Sequence, residues 1–340
     1  MVALSYAERA KATLSAGLWA YVEGGSETEA ALRRNRQALD ELALIPRLLA
    51  DVSQVDPSTS FLGSRLALPL LLAPVGSLHR LHDDGIDGLG EAANRSGIAW
   101  SAGSALPNAA TLEVSGKGAA FYQIYIEGDA DWLDLQCRNA IGRGYRGVII
   151  TADAPVFPAR RRDLETGNHA SGRQQDGTSV FRKTFTWGRL AALIKSNQNI
   201  PIILKGVQDP RDAVRALEVG VAAIYLSNHG GRQFDQGCGI AELIAPVAEA
   251  LGGRIPLIVD GGFHSGADVL KALALGADIV GLGRACLYPF AAEGSAGLSA
   301  FLSNLGEQIR TNMTLLGAPR LADLRNLSVR KSPIGAERSA

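Results

Sequence analysis

The stretch 223-AIYLSNHGGRQ-233 decides how this chain is read. It opens as a β-branched and aromatic run, the pattern of a buried strand. It then breaks into Ser227-Asn228-His229-Gly230-Gly231-Arg232. A titratable ring and a guanidinium stand three residues apart, with two glycines between them. Glycine reaches backbone conformations closed to other residues and leaves room for a ligand. A strand that delivers a base and a cation into an open glycine turn suits an anionic substrate that must lose a proton. A hydrophilic turn would account for a lone histidine, but it leaves the arginine and the glycine pair unexplained.

The same rhythm extends on both sides. Short apolar runs occur at 68–74, 97–101, 120–126, 147–153, 201–205, 223–228, 256–260 and 278–283. Between them lie helical patterns, among them Asp131–Gly142, Pro210–Gly220, Ile240–Leu251 and Ser265–Gly276. Strands alternating with crossover helices predict a parallel sheet, and eight such units predict a closed (β/α)8 TIM barrel of the α/β class. A doubly wound open sheet is the alternative. Residues 1–45 read as helical: Gly24-Gly25 ends one segment, Ser26 and Glu29 resemble a capping box opening a second through Leu42, and Pro46 stops it. The chain is expected to be one domain over 1–340, with a helical N-terminal extension (1–60), a lid-like loop (154–186) and a polar tail (330–340).

Composition narrows the function classes. With 34 basic and 34 acidic side chains in 340 residues, nothing favours a nucleic-acid partner. The start shows no signal-peptide pattern, and no apolar run is long enough to span a bilayer. Cys137, Cys238 and Cys286 have neither zinc nor disulfide spacing and read as small buried apolar residues. A cytoplasmic protein without a metal is the expectation.

In barrels of this kind the chemistry sits at the carboxyl ends of the strands. Every run here ends in polar or glycine residues: Ala73-Pro74-Val75-Gly76, then Ser104, Gln123 with Tyr125, Thr151 with Asp153, Lys205, Ser227 to His229, Asp260-Gly261-Gly262, and Gly281 to Arg284. Alternate residues share a face, so Gln123 and Tyr125 point together, as do Thr151 and Asp153. The last two ends offer free backbone N–H groups and Arg284, which suits a phosphate. Lys205 at a strand end needs an electronegative partner; it could form a Schiff base or neutralise charge on a bound ring. His79, His82 and His169 read as solvated, and Trp100, Trp132 and Trp187 as core or interface.

These residues resemble the FMN-dependent α-hydroxy acid oxidising family, which includes glycolate oxidase, lactate oxidase, mandelate dehydrogenase and the flavin domain of flavocytochrome b2. The similarity runs from about Tyr21 to about Gly317. It rests on SNHGGRQFD (227–235), LKG (204–206), DGG (260–262) with KALALGAD (271–278), GLGR (281–284), and LRRNRQAL, PRLLADVS and QIYIEGD. The resemblance implies FMN as cofactor and an L-2-hydroxy acid as substrate, with oxygen or another acceptor taking the electrons. It assigns His229 as base, Asp153 as the carboxylate that stabilises the protonated ring, and Tyr125 as partner of the reacting hydroxyl. Tyr21, Arg160 and Arg232 would hold the substrate carboxylate, and Lys205 would face flavin N1 and O2. Ala73, Val75, Ser104, Gln123, Thr151 and Ser227 would contact the ring and ribityl chain. Asp260, Gly262, Gly283 and Arg284 would meet the ribityl chain and phosphate. By the same resemblance the protein is a homo-oligomer, a tetramer in many relatives, without membrane attachment.

Three departures stand out. His264 occupies a position where the family carries arginine, giving a weaker, pH-dependent phosphate donor. Leu106 replaces a bulky aromatic, and Gly76 an alanine. Both leave room for a substrate larger or more apolar than glycolate. Two other readings stay open: a non-redox FMN barrel similar to isopentenyl diphosphate isomerase, and a non-catalytic flavin-binding protein. Oxidase and dehydrogenase are not separated at this level.

Overall fold

All eight apolar runs become strands of one closed parallel barrel. The computed structural model describes residues 5–106, 112–114, 118–167 and 179–331. Helices α1 (Tyr6–Thr13), α2 (Ala16–Glu23) and α3 (Ala30–Asp40) lead to strand β1 (Leu42–Leu44) and a hairpin of β2 (Thr59–Phe61) and β3 (Ser64–Leu66). The barrel strands are β4 (Leu70–Leu72), β5 (Ala99–Gly103), β6 (Ala120–Ile124), β7 (Val148–Thr151), β8 (Ile202–Val207), β9 (Ala223–Leu226), β10 (Leu257–Asp260) and β11 (Ile279–Leu282). They pair in chain order, and β11 closes on β4 through Val280 opposite Leu70. The final strand, β12 (Val329–Lys331), returns to pair antiparallel with β1.

Strand alternation sorts the side chains into two cores. Leu71, Phe121, Ile149, Ile203, Tyr225, Ile258 and Ile279 point inward and fill the barrel. Phe61 and Leu66 of the hairpin join them, with the Phe61 ring 5.4 Å from that of Phe121, so the hairpin floors the barrel where its strands begin. Leu70, Leu72, Ile150 and Leu226 point outward against the helices. Truncating an inward isoleucine such as Ile203 to alanine would cost about 2–5 kcal/mol, because closed strands cannot collapse onto the cavity. With its floor packed, the barrel opens only at the carboxyl ends of its strands.

The expected helices appear at Ala130–Gly142, Pro210–Val219, Ile240–Leu251 and Gly266–Ala274. Their stops are chemical: Gly220 and Gly252 take left-handed φ values of 98° and 58° just past the last turn.

Several expectations need correction. Ser26 and Glu29 do not form a capping box: Glu29 itself sits at φ 63°, and its carboxylate binds Arg162 and the Gly25 N–H. The second helix ends at Asp40, and Leu42–Leu44 is extended because β12 pairs with it. Cys137 and Cys286 are buried, but Cys238 is exposed. The segment 154–186 is not structureless where described: it holds helices Arg161–Glu165 and Ser179–Lys183. Its residues 168–178, with His169, and the tail 332–340 lie outside the described residues. His79 is exposed, and His82 half-buried beside Asp84. Trp100 is core, while Trp132 and Trp187 pack at its margin. Among the described residues no helix is long and apolar enough to cross a membrane, and no cluster suits a metal ion.

Candidate active site

Three strand ends build a hydrogen-bonded line across the barrel mouth. Tyr125, just past β6, places its hydroxyl 3.1 Å from His229 Nε2. His229 Nδ1 lies 3.1 Å from Oδ1 of Asp153, which follows β7. An ionised carboxylate only accepts, so the Nδ1 proton belongs on the Asp153 side and Nε2 keeps its lone pair toward Tyr125. Burial works to raise the Asp153 pKa, but the charge and hydrogen bond of His229, joined by Lys205, outweigh it and hold the carboxyl below its usual range. Burial, then the Asp153 and Tyr21 groups, push the Tyr125 phenol well up, against the pull of Arg160 and Arg182. Tyr125 is therefore a neutral donor at pH 7.

The turn that carries His229 explains its own glycines. His229, Gly230 and Gly231 run consecutively at φ 59°, 64° and 75°. Left-handed backbone is strained for histidine, and such strain gathers at functional sites. A Cβ on Gly231 would lie 2.5 Å from the Leu32 backbone nitrogen, so only glycine lets α3 approach. Gly206 of the LKG motif stands at φ 103° for a similar reason: a Cβ there would lie 2.5 Å from Cβ of Asp153.

A second cluster lies beside this line. Lys205 Nζ donates to Ser227 Oγ at 2.6 Å, and Ser227 donates to Asp260 Oδ1 at 2.6 Å, with Lys205 and Asp260 3.4 Å apart. All three are buried. Gln123 Nε2 donates to Thr151 Oγ1 at 2.8 Å, and Ser104 Oγ accepts from the Tyr125 N–H at 3.1 Å. Ala73 is buried at the end of β4, and Val75 packs at the core margin.

The N-terminal extension closes one side. Arg232 Nη2 donates to the carbonyls of Tyr21 and Val22, both at 2.6 Å, and the guanidinium lies 5.1 Å from the Tyr21 ring centre. Tyr21 donates to the Gly76 carbonyl at 3.3 Å, and a Cβ at Gly76 would stand 3.4 Å from that hydroxyl. Arg160 is buried at the start of helix Arg161–Glu165, and its backbone pairs with that of Glu27 in an isolated parallel β-bridge. Leu106 is buried in the outer core, so the extra room argued from sequence rests on Gly76.

At the last strand ends the arrangement departs from expectation. Arg284 donates to the carbonyls of Val22, Gly24 and Gly230 at 2.7–2.9 Å. Those bonds use three of a guanidinium's five donors. Burial and the neighbouring Arg232 pull its pKa down to about 9, still cationic at neutral pH. Gly261 and Gly262 take φ 117° and 88°, where Asn35 crowds any side chain, while a Cβ on Gly283 would meet open space. Burial, then Arg36, lowers the His264 pKa, leaving the ring neutral at pH 7.

Sequence reasoning missed four participants. Tyr225 reads as strand core, yet its buried hydroxyl faces Asp260, and its ring carries Lys205 Nζ 4.9 Å from its centre. The glycine at 281 leaves the space that this hydroxyl fills. Asp235, last in SNHGGRQFD, caps α3 by accepting from the N–H groups of Thr28 and Ala31. Arg36 forks onto Asp268 at 2.8 and 2.9 Å and holds the Gly262 carbonyl. Arg182 packs on Tyr125. Two surface clefts among the described residues, one lined in part by Arg34, Cys238 and Lys331 and the other by Lys11, Trp19 and Arg162, include none of the strand-end residues above.

A barrel with an imidazole–carboxylate pair, a buried lysine and glycine-rich final strand ends is suited to an enzyme that removes a proton beside a phosphorylated ligand. The family described as FMN-dependent dehydrogenase matches residues 10–331, and the chain belongs to it. It is 35% identical over 338 residues to the L-lactate oxidase of Lacticaseibacillus rhamnosus (strain LMS2-1), covering 95% of this chain and 92% of that protein. It is 32% identical over 353 residues to the 4-hydroxymandelate oxidase of Amycolatopsis orientalis, covering 97% and 98%. A crystal structure of mandelate oxidase with (S)-2-phenylpropionate superposes with a TM-score of 0.88 at 31% identity, covering 96% of this chain and 97% of that one.

The cofactor is FMN, and this chain's residues fit it. Two polar groups at the strand ends leave capacity for a partner: the buried Asp153 Oδ2, and the Lys205 ammonium, which has a serine at 2.6 Å and an acid 3.4 Å away. An anionic ring edge would pair with the lysine. The phosphate end is less prepared, since Arg284 has spent most of its donors on carbonyls.

Proposed function

We propose that this chain oxidises an L-2-hydroxy acid, with a side chain larger or more apolar than that of glycolate, to the 2-oxo acid. The substrate's two hydrogens would leave as a proton to His229 and as a hydride equivalent to bound FMN, with oxygen or another acceptor as the final oxidant. The supporting observation is the Tyr125–His229–Asp153 line, at 3.1 Å per link, with Tyr21 and the buried Arg160 near enough to act on the Tyr125 phenol.

His229 Nε2 takes the proton that the carbinol loses. Asp153, already ionised, stabilises the imidazolium across the Nδ1 bond. Tyr125 donates to the reacting oxygen and fixes it at Nε2. Arg160, Arg232 and Tyr21 hold the carboxylate, converting a diffusional encounter into a positioned one. Gln123, Thr151, Lys205, Ala73, Val75, Ser104 and Ser227 would hold the ring and upper ribityl chain, and Asp260, Gly262, His264, Gly283 and Arg284 the lower chain and phosphate. Lys205 would neutralise negative charge at the ring edge. The bound FMN supplies the two-electron chemistry that no side chain provides. Substrate bulk has room beside Gly76, next to the Tyr21 hydroxyl. The chain works as one domain in the cytoplasm, where three free cysteines suit a reducing compartment, and as a homo-oligomer.

The test is an anaerobic screen of aliphatic and aromatic 2-hydroxy acids of both hands, followed by air. Bleaching by one hand of a bulky acid is expected. His229→Asn should slow bleaching by about 10²–10⁴-fold, the usual worth of a general base. A variant that bleaches at the parental rate overturns the assignment of the base.

A further inference from the structure

Tyr125 stands one residue beyond β6, so the barrel's ladder ends before it. Something else must fix its ring. The ring stacks on His229, with centroids 6.3 Å apart and planes at 26°, and meets Phe157 edge-on at 6.2 Å. The third contact comes from helix Ser179–Lys183. The Arg182 guanidinium lies 5.2 Å from the Tyr125 ring centre and 4.9 Å from that of Phe157. Its Nη2 donates to Glu127 at 2.7 Å. Glu127 lies two residues past Tyr125, so one guanidinium bridges two positions of the segment that follows β6.

Burial distinguishes this from a surface latch. The Arg182 side chain is 10% exposed while its carboxylate partner is 39% exposed. Its Nε is buried with no hydrogen-bond partner. A simple ion pair gains little and would not draw a guanidinium out of water. Two aromatic faces give it a reason to be there, since a planar cation over a ring is attracted most when desolvated.

We propose that Arg182 is a positioning residue for the oxidation: stacked on Tyr125 and anchored on Glu127, it sets the angle at which the phenol meets His229 and the substrate oxygen. The inference rests on the function proposed above. It predicts an effect on the reacting geometry, not on the carboxylate clamp.

The experiment is a double-mutant cycle on the FMN-loaded protein. Arg182→Met keeps the apolar stem and removes the cation. It should lower the limiting rate of anaerobic flavin reduction about tenfold, the scale of one desolvated cation–π contact. Affinity for the 2-oxo acid product should move less than about twofold, because a different set of groups holds the carboxylate. In a Tyr125→Phe background Arg182→Met should slow the reaction no further than about twofold, since Arg182 acts through the placing of that hydroxyl. Arg182→Lys should recover part of the rate. A parental rate in Arg182→Met, or losses that multiply with Tyr125→Phe, overturns the proposal. Should Arg182→Met not hold FMN, Glu127→Gln carries the test: it keeps the cation but weakens its anchor. A loss of about threefold, absent in the Tyr125→Phe background, is then expected, and a parental rate refutes the idea. If the unmutated protein is bleached by no 2-hydroxy acid, the functional reading has failed separately. Hydrogen exchange then decides: amides at 124–128 should exchange faster in Arg182→Met, and unchanged exchange sinks the positioning role.

Discussion

Replacing Asp153 with asparagine tests the electrostatic core of the mechanism. The carboxylate lies 3.1 Å from His229 Nδ1 and is 6% exposed, so water screens it little. At that separation two unit charges interact by about 5 kcal/mol at an effective dielectric of about 20. Only the part that develops between ground and transition state affects the rate. With the imidazolium about half formed, roughly 2.5 kcal/mol is lost, or about 10²-fold in rate. Asparagine can still accept from Nδ1, so the ring need not move. The assay is stopped-flow bleaching without oxygen across substrate concentrations at pH 7, where Asp153 is ionised in the parent. The loss should appear in the limiting rate, with substrate affinity changed less than about threefold. A limiting rate within about threefold of the parent would refute the reasoning, as would a loss confined to affinity.

The clamp should behave in the opposite way. Arg160→Met should weaken substrate affinity by about 10–10²-fold through the loss of charge-assisted bonds, measured by titrating flavin reduction. Arg232→Met should do the same and also lower the melting temperature, because its Nη2 holds the Tyr21 and Val22 carbonyls; a parental melting temperature would contradict that second role. Gly281→Ala should destabilise by about 1–3 kcal/mol through overpacking against the Tyr225 hydroxyl, and Tyr225→Phe should restore part of it in denaturant unfolding. Burial works to raise Asp268, but the Arg36 fork and the His264 N–H outweigh it and hold the carboxyl low. A depressed folded pKa gives stability that is complete above the unfolded value, about 4, and is lost as pH falls through the lower folded value. Melting temperature should therefore drop more steeply below about pH 4 in the parent than in Asp268→Asn; parallel curves would contradict it.

The barrel was legible because its strands are buried on both sides, which makes them continuous apolar runs that no solvent-facing pattern interrupts. Polar strand ends were legible for the complementary reason: polar residues have no place on such a strand except where it opens to a ligand. The run 42–44 was misread because three residues carry no period, and its extended form depends on a partner almost three hundred residues away. The supposed capping box failed because Asp235, far off in sequence, supplies the cap of α3 while Glu29 is drawn to Arg162. Tyr225 looked like any aromatic in a strand; only the register that puts it opposite Lys205 gives its hydroxyl a role. Arg182 lies in a polar stretch with no periodicity, and its position depends on the rings of Tyr125 and Phe157. The local signal marked what each strand end offers, while the groups that orient those ends come from elsewhere in the chain.

The motif 227–235 shows why the N-terminal extension belongs to the chemistry. Ser227 links Lys205 to Asp260 and accepts from the His229 N–H, tying the base to the cluster beside it. Asn228 exchanges two amide hydrogen bonds with Asn35 of α3, both at 2.9 Å, and Asp235 caps the same helix. Gly231 lets that helix come close, and Arg232 grips the end of α2. Five of the nine positions, Ser227, Asn228, Gly231, Arg232 and Asp235, thus either place His229 or fasten helices α2 and α3 over the barrel mouth. The fastening matters because Tyr21, a member of the proposed clamp, is carried on α2 and has no other route to the site. A substitution such as Asn228→Ala orphans the buried Asn35 Nδ2 and loosens α3. It should cost about 1–3 kcal/mol in stability and weaken substrate affinity with little change in limiting rate. A variant that loses stability but binds substrate as the parent does would separate the extension from the site, and with it the role given to Tyr21.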